Sequence, residues 1–243
     1  VAMDGSPSVR IQVLPGGMVV VDAPGGSDDW VFNAGSDPTG GRLGIEWLRS
    51  RGWNRLPRLG ILRADAGHAG GATLLFEEFR TRELWIGEPR QRSPYFRRML
   101  DEARRRTIPV RQADTGRNWG GWEVLSPGVG SQWSTAADNA VVLAGTLGGV
   151  QVVLLPDLGP AAREDLWRRW PAQLDRPDLL ITEVSLPNRE SWERMVQRIR
   201  PQDVVVDESG SDRTGRTPGR GWTLETSIRV HPRSEEHTSE LQS

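Results

Sequence analysis

Three short runs rich in β-branched residues open the chain, VRIQVLP, GMVVVDAPG and WVFNAG, parted by Gly and Pro, and they predict a meander of strands. The period then changes. In GRLGIEWLRSRG, Leu43, Trp47 and Leu48 fall on one helical face and Gly52 marks a stop. Strand RLGIL follows, then the polar loop RADAGHAGG from Arg63 to Gly71, then a helical pattern, ATLLFEEF, with Leu75 and Phe79 one turn apart. After strand ELWIG, the segment from Ser93 to Arg106 predicts a helix. Ser93 is its cap, Pro94 its first position, and Phe96, Met99, Leu100 and Ala103 recur at i, i+3, i+4 and i+7.

The middle of the chain returns to strands: WEVLSP, AVVLAGTLGG and VQVVLLPD, the last two joined by Gly-Gly as a hairpin. Helix PAAREDLWRRW, strand DLLIT, helix RESWERMVQRI and strand DVVVD then alternate. In the second helix Trp192, Met195, Val196 and Ile199 share a face, with Asn188 placed as its cap. A polar loop, ESGSDRTGRTPGRG, precedes a last strand, WTLETSIRV, and no repeat of solenoid length is present. A meander, βα units, a hairpin and further βα units imply two mixed sheets with helices outside both. The expectation is an α/β fold, a four-layer αββα sandwich; composition and periodicity leave a three-layer α/β fold open.

Length and charge refine this picture only slightly. At 243 residues the chain can bury a substantial core, and one domain over residues 1–232 is expected. The tail from Arg233 to Ser243, RSEEHTSELQS, has no hydrophobic period and is similar to a translated sequencing adapter, so it is set aside as artefactual. Its removal takes away one arginine and three glutamates, which turns a net charge of −1 into +1. Val1 in place of an initiator Met fits an internal fragment of a longer gene. All 31 basic residues are arginine, and there is no cysteine, so disulfides and thiolate metal sites are excluded. No apolar run approaches the ~20 residues of a membrane span, and no signal peptide is visible.

The order of these motifs, VVVDAPGG with WVFNAG, a helix, LGILRADAGHAGG, WEVLSP and DNAVVLAGTLGGVQVVLLPD, resembles the metallo-β-lactamase-like domain at the C-terminal end of ComEC-type competence proteins, from about Val9 to Val230. The resemblance implies a metal loop between a strand and a helix. Alternate residues leaving a strand point the same way, so donors there converge, and the helix start supplies backbone N–H groups. On that pattern Arg63 stands at the first ligand position, Asp65 at the second, Gly67 at the aspartate position and His68 at the last, with Gly70 and Gly71 at the helix entry. Asp157 matches the bridging aspartate, although Pro156 replaces the usual Gly. Where the family carries a His-His-Gly-Ser loop, this chain reads EVSLPN, with neither histidine.

Two donors for each metal are then left, Asp65 with Asp157 and His68 with Asp157, where a catalytic zinc takes about three. Arg63 adds a fixed positive charge, and Asp65 or Asp157 is its natural partner. The loop is accordingly read as vacated and no cofactor is expected, Zn or Mn being the alternative. Plainer roles are available for each residue: His68 as a capping or packing histidine, Asp157 as a helix cap, Asp65 as a turn residue. Glu183 and Ser185 stand near the lost loop as possible donors or as surface residues, and His231 borders the tail.

Charge supplies the second candidate. From Arg80 to Arg117 eleven arginines face five acids, with Tyr95, Phe96 and Trp119 nearby. Either this is a solvated helix face or a phosphate-binding patch, for which Arg97, Arg98, Arg104, Arg105 and Arg106 are the candidates. Trp47, Trp167 and Trp192 read as core; Trp119, Trp122 and Trp133, in Gly-rich sequence, read as exposed. The resemblance implies a non-catalytic domain of a DNA-uptake protein whose parent chain is embedded in the bacterial inner membrane, this part lying on the extracytoplasmic side with DNA as a partner. The alternatives are a metal-dependent phosphodiesterase or nuclease using Asp65, His68, Asp157 and Glu183, and a purely structural hydrolase-fold domain. Oligomeric state is not readable.

Overall fold

The computed structural model describes residues 9–14, 16–26, 28–36, 38–87, 93–112, 118–128, 133–183, 189–207 and 226–230. The strands are β1 (Val9–Leu14), β2 (Met18–Asp22), β3 (Trp30–Phe32), β4 (Arg55–Ile61), β5 (Arg80–Ile86), β6 (Val110–Gln112), β7 (Asn118–Trp119), β8 (Trp122–Ser126), β9 (Val142–Leu147), β10 (Val150–Leu155), β11 (Leu179–Glu183), β12 (Asp203–Asp207) and β13 (Thr226–Val230). The helices are α1 (Thr39–Ser50), α2 (Ala66–Ala69), α3 (Ala72–Glu78), α4 (Pro94–Arg105), α5 (Pro160–Arg169) and α6 (Arg189–Ile199).

These strands form two mixed sheets, so the fold is mixed α/β. A seven-stranded sheet runs β13-β1-β2-β3-β4-β5-β6, and a six-stranded sheet runs β12-β11-β10-β9-β8-β7. In the first, β13, β1, β2 and β3 pair antiparallel, while β3, β4, β5 and β6 pair parallel across helical crossovers. The second repeats this plan, with β7 to β10 antiparallel and β10, β11 and β12 parallel.

Three apolar clusters explain why so many strands read as continuous hydrophobic runs: these strands are buried on both faces. One cluster joins the seven-stranded sheet to α1 through α4, with Met18, Val20, Leu48, Leu59, Leu75 and Met99 among its members. A second draws on strands of both sheets and their ends, and includes Ile11, Val19, Val21, Phe32, Leu143, Val152 and Leu154. A third joins the six-stranded sheet to α5 and α6 through Val153, Leu155, Leu166, Leu180 and Met195. The alternation is clean in β10, where Val152 and Leu154 enter one cluster and Val153 and Leu155 the other.

Helix α4 follows its sequence pattern: Ser93 Oγ accepts from the Phe96 N–H at 3.4 Å, and Phe96, Met99, Leu100 and Ala103 are buried. The β9–β10 hairpin turns on Gly148 and Gly149, at φ +55° and +84°, the left-handed pair that its tight turn requires. Trp47, Trp167 and Trp192, read as core, are only partly buried, packed against the helix-bearing clusters from outside. Asn188, Ser185 and His231 lie outside the described residues.

Three expectations are corrected. Leu43 does not share the buried face of α1; it is 45% exposed. The helix instead approaches through Gly40, Gly41 and Gly44, and a Cβ on Gly44 would strike Met18, so close packing by glycine turns Leu43 outward. Trp119 and Trp122 are not exposed either. The Gly120–Gly121 turn folds β7 and β8 so that both indoles enter the cluster of strands, where Trp30 stacks on Phe32 and on Trp119 with centroids 5.0 and 6.2 Å apart. Trp133 is partly buried, its indole nitrogen out of solvent. Finally, Asp157 does not cap α5. That helix begins at Pro160, its N-cap Gly159 offers no side chain, and Asp138 Oδ1 accepts from the Ala161 and Ala162 N–H groups at 3.0 and 3.2 Å.

Candidate functional site: a charged cluster at the strand ends

The loop after β4 meets the ends of β10 and β11. Its course is fixed by the backbone. Asn33, at φ +61° and 1% exposed, donates from Nδ2 to the Gly17 carbonyl at 2.9 Å and accepts at Oδ1 from the Leu62 N–H at 3.0 Å. The Leu62 carbonyl accepts from Val141 N–H in the approach to β9, Ala34 N–H donates to the His68 carbonyl, and Gly71 N–H donates to the Gly35 carbonyl. Asp65 is the N-cap of α2 and accepts from the His68 N–H at 3.1 Å. Gly71 permits the contact with the loop after β3, because a Cβ there would collide with the Ala34 carbonyl oxygen and come within 2.6 Å of Gly41 Cα.

This course brings together Arg63, Asp65, His68, Asp157 and Glu183. Arg63 Nε donates to Asp65 Oδ2, and its NH1 donates to the Asp157 carbonyl at 3.1 Å and lies 3.9 Å from the Asp157 carboxylate. His68 is buried. Its Nδ1 stands 2.6 Å from Asp65 Oδ1 and its Nε2 stands 2.6 Å from Glu183 Oε2. A carboxylate on either side favours the imidazolium form, in which both ring nitrogens donate. Burial works against that charge, but Glu183 and then Asp65 overcome it and push the His68 pKa up to about 9. For Asp65 burial alone would raise the pKa; hydrogen bonding and charge from His68, followed by Arg63, hold the carboxyl well below its ordinary range. Burial likewise opposes the charge of Arg63, and Asp65, Glu183 and Asp157 raise its pKa further still. Gly17 closes the floor at φ +78°, where a Cβ would sit 2.6 Å from Glu183 Oε1.

As they stand, these side chains are paired with one another. A coordinating histidine must offer a lone pair, so a metal here would have to displace a proton from one of the two His68 contacts. The Arg63 guanidinium occupies the space beside Asp65 and Asp157 as a permanent cation. Among the described residues no group of three or more His, Asp or Glu side chains is arranged to hold a metal. Gly67 contributes no donor; it lies inside α2. The adjoining cavity of about 20 Å³, lined in part by Asn33, Leu62, Thr182, Glu183 and Asp207, has room for one water molecule.

Comparison of the chain with protein-family models gives no match, and comparison with curated proteins gives none.

The arginine candidates lie together on α4 and just beyond it. Arg97, Arg98, Arg104, Arg105 and Arg106 are exposed. Arg104 pairs with Asp101 at 2.8 Å, Arg105 with Glu102 at 2.6 Å, and Arg106 with Glu102 while also donating to the Phe76 carbonyl at 2.8 Å. Arg98 lies over the ring of Tyr95, 5.8 Å from its centroid, and Tyr95 is 36% exposed. Such exposed pairs are weak. Among the described residues no helix is long and apolar enough to cross a membrane.

The sequence offered Asp65 or Asp157 as the partner of Arg63, and Arg63 meets both, but it did not assign Glu183 its pairing with His68. The available signal was a carboxylate ending the apolar run LLIT, at the C-terminal end of a parallel strand where loops of such sheets converge.

Proposed function

We propose that residues 1–232 form one four-layer αββα domain of metallo-β-lactamase type, and that it is a non-catalytic, DNA-binding part of a ComEC-like uptake protein. The layering is supported by the three apolar clusters, of which the middle one draws on strands of both sheets. The observation that carries the non-catalytic reading is the pairing of both His68 ring nitrogens with carboxylates, next to an arginine paired with Asp65. The resemblance supplies the setting, the extracytoplasmic side of a bacterial inner membrane, and the exposed arginines of α4 supply a surface for phosphates.

Titration of the 243-residue chain with labelled single- and double-stranded DNA at several salt concentrations tests this. Binding weakens with salt, with a log–log slope near ~0.9 per phosphate neutralised on duplex. Replacing Arg97, Arg98, Arg104, Arg105 and Arg106 by glutamine flattens that slope and lowers affinity. No salt-sensitive affinity, or an unchanged slope in the variant, would overturn the reading. One observation favours the hydrolase alternative: Glu183, the extra donor it requires, does stand against His68. That reading demands stoichiometric Zn or Mn after dialysis, lost on Asp157→Ala.

A further inference from the structure

The charged cluster spans the two sheets. Arg63, Asp65 and His68 belong to the loop that leaves β4 of the seven-stranded sheet, whereas Asp157 follows β10 and Glu183 ends β11 of the six-stranded sheet. We propose that His68–Glu183 and Arg63–Asp157 are a metal-independent clasp that holds the strand ends of the two sheets together. Three observations carry this. Each link joins residues about a hundred positions apart, so each closes a long loop: His68 to Glu183 is a separation of 115 and Arg63 to the Asp157 carbonyl one of 94. The side chains are largely removed from water, with relative exposures of 7% for His68, 19% for Glu183, 21% for Arg63 and 18% for Asp157. The loop also carries its own hydrogen bonds, Asp65 holding both the His68 backbone N–H and ring Nδ1, which leaves Nε2 aimed at Glu183. A pair held this way loses little further freedom on closing, and each charge in the cluster faces an opposite one, two cations meeting three carboxylates.

The inference does not depend on DNA binding, and it makes a claim the hydrolase reading denies, because a metal at this position would have to displace the His68–Glu183 contact. The test is a double-mutant cycle in urea at pH 7 with the full chain: wild type, His68→Gln, Glu183→Gln and the double variant. Each single substitution raises the unfolding equilibrium constant by on the order of a hundredfold, since it leaves one buried charge without its partner. The double variant is no worse than either single one. Effects that multiply in the double variant would overturn the clasp. A measurement on the unaltered chain stands beside it should a variant fail to fold. In wild type the urea midpoint is the same in excess EDTA and with one equivalent of Zn²⁺, and nitrogen NMR finds both His68 ring nitrogens protonated and unmoved by the metal. A midpoint raised by zinc, or a His68 signal that shifts at one equivalent, would equally overturn it.

Discussion

The sharpest consequence of the buried imidazolium is a pH dependence of stability. His68 titrates near 6.5 in an unfolded chain and at about 9 in the folded one. Its folded pKa is raised, so the stabilisation is complete below about pH 6.5 and is lost as pH climbs through about 9. At ~1.4 kcal/mol for each pH unit across that interval, the full contribution is about 3 kcal/mol, a large part of the 5–15 kcal/mol typical of a domain. Asp65 works in the opposite sense, its depressed pKa giving stability that is lost only as pH falls well into the acid range, so it adds no slope near neutrality. The window is unusually clean, because a chain without cysteine or lysine has few other groups that titrate between pH 7 and 9. The assay is urea unfolding at constant ionic strength from pH 6 to 10, with His68→Gln as reference. Wild type loses stability progressively above pH 7 and approaches the variant by pH 10, while the variant itself changes little. A wild-type curve that stays level from pH 6.5 to 9.5, or a variant that keeps the wild-type slope, would refute the placement of a charged His68 between two carboxylates.

Further perturbations separate neighbouring positions of similar appearance. Gly71→Ala forces a Cβ against the Ala34 carbonyl and Gly41, and costs about 1–3 kcal/mol by urea unfolding. Gly67→Ala in the same motif meets nothing nearer than Asp65 Oδ1 at 3.5 Å and leaves the midpoint unchanged or slightly raised. Asp138→Ala removes the side chain that serves the start of α5 and lowers stability by about 1–2 kcal/mol in the same assay. On α1, Leu48→Ala opens a cavity and costs about 2–5 kcal/mol, whereas Leu43→Ala stays within about 0.5 kcal/mol of wild type.

Local signals were legible where chemistry and period agree within a few residues. Ser93, Pro94 and the buried stripe from Phe96 to Ala103 define α4 completely, and the Gly148–Gly149 pair fixes a hairpin because both residues take positive φ. The long apolar runs of β10 and β11 read as strands because both of their faces are covered. Position on a face was less legible. The apolar stripe of α1 points to Leu43, yet the buried side is set by three glycines whose value lies in what touches them. β6 went unread because Val110, Arg111 and Gln112 are all exposed and alternate with nothing, and β7 is only two residues long. The α5 cap comes from Asp138, more than twenty residues before the helix, and Glu183 reaches His68 across 115 positions. Neither relation leaves a spacing in the sequence: Glu183 meets His68 only once the two sheets come together, and Asp138 meets α5 only once the β9–β10 hairpin has brought the helix back beside it.

The pairing of the first and last described strands has a topological consequence. β1 and β13 run antiparallel with Val9 opposite Val230, so the chain enters and leaves the seven-stranded sheet side by side, about 5 Å apart. A linker of a few residues would therefore join those two points into a ring, and the exposed turn at Gly148–Gly149 offers a place to cut it. Such a circular permutant would keep every strand pairing except the β9–β10 turn itself. It would also recast the fold as a closed circuit with an arbitrary starting point, in which the order of the elements around the loop matters and the position of the ends does not.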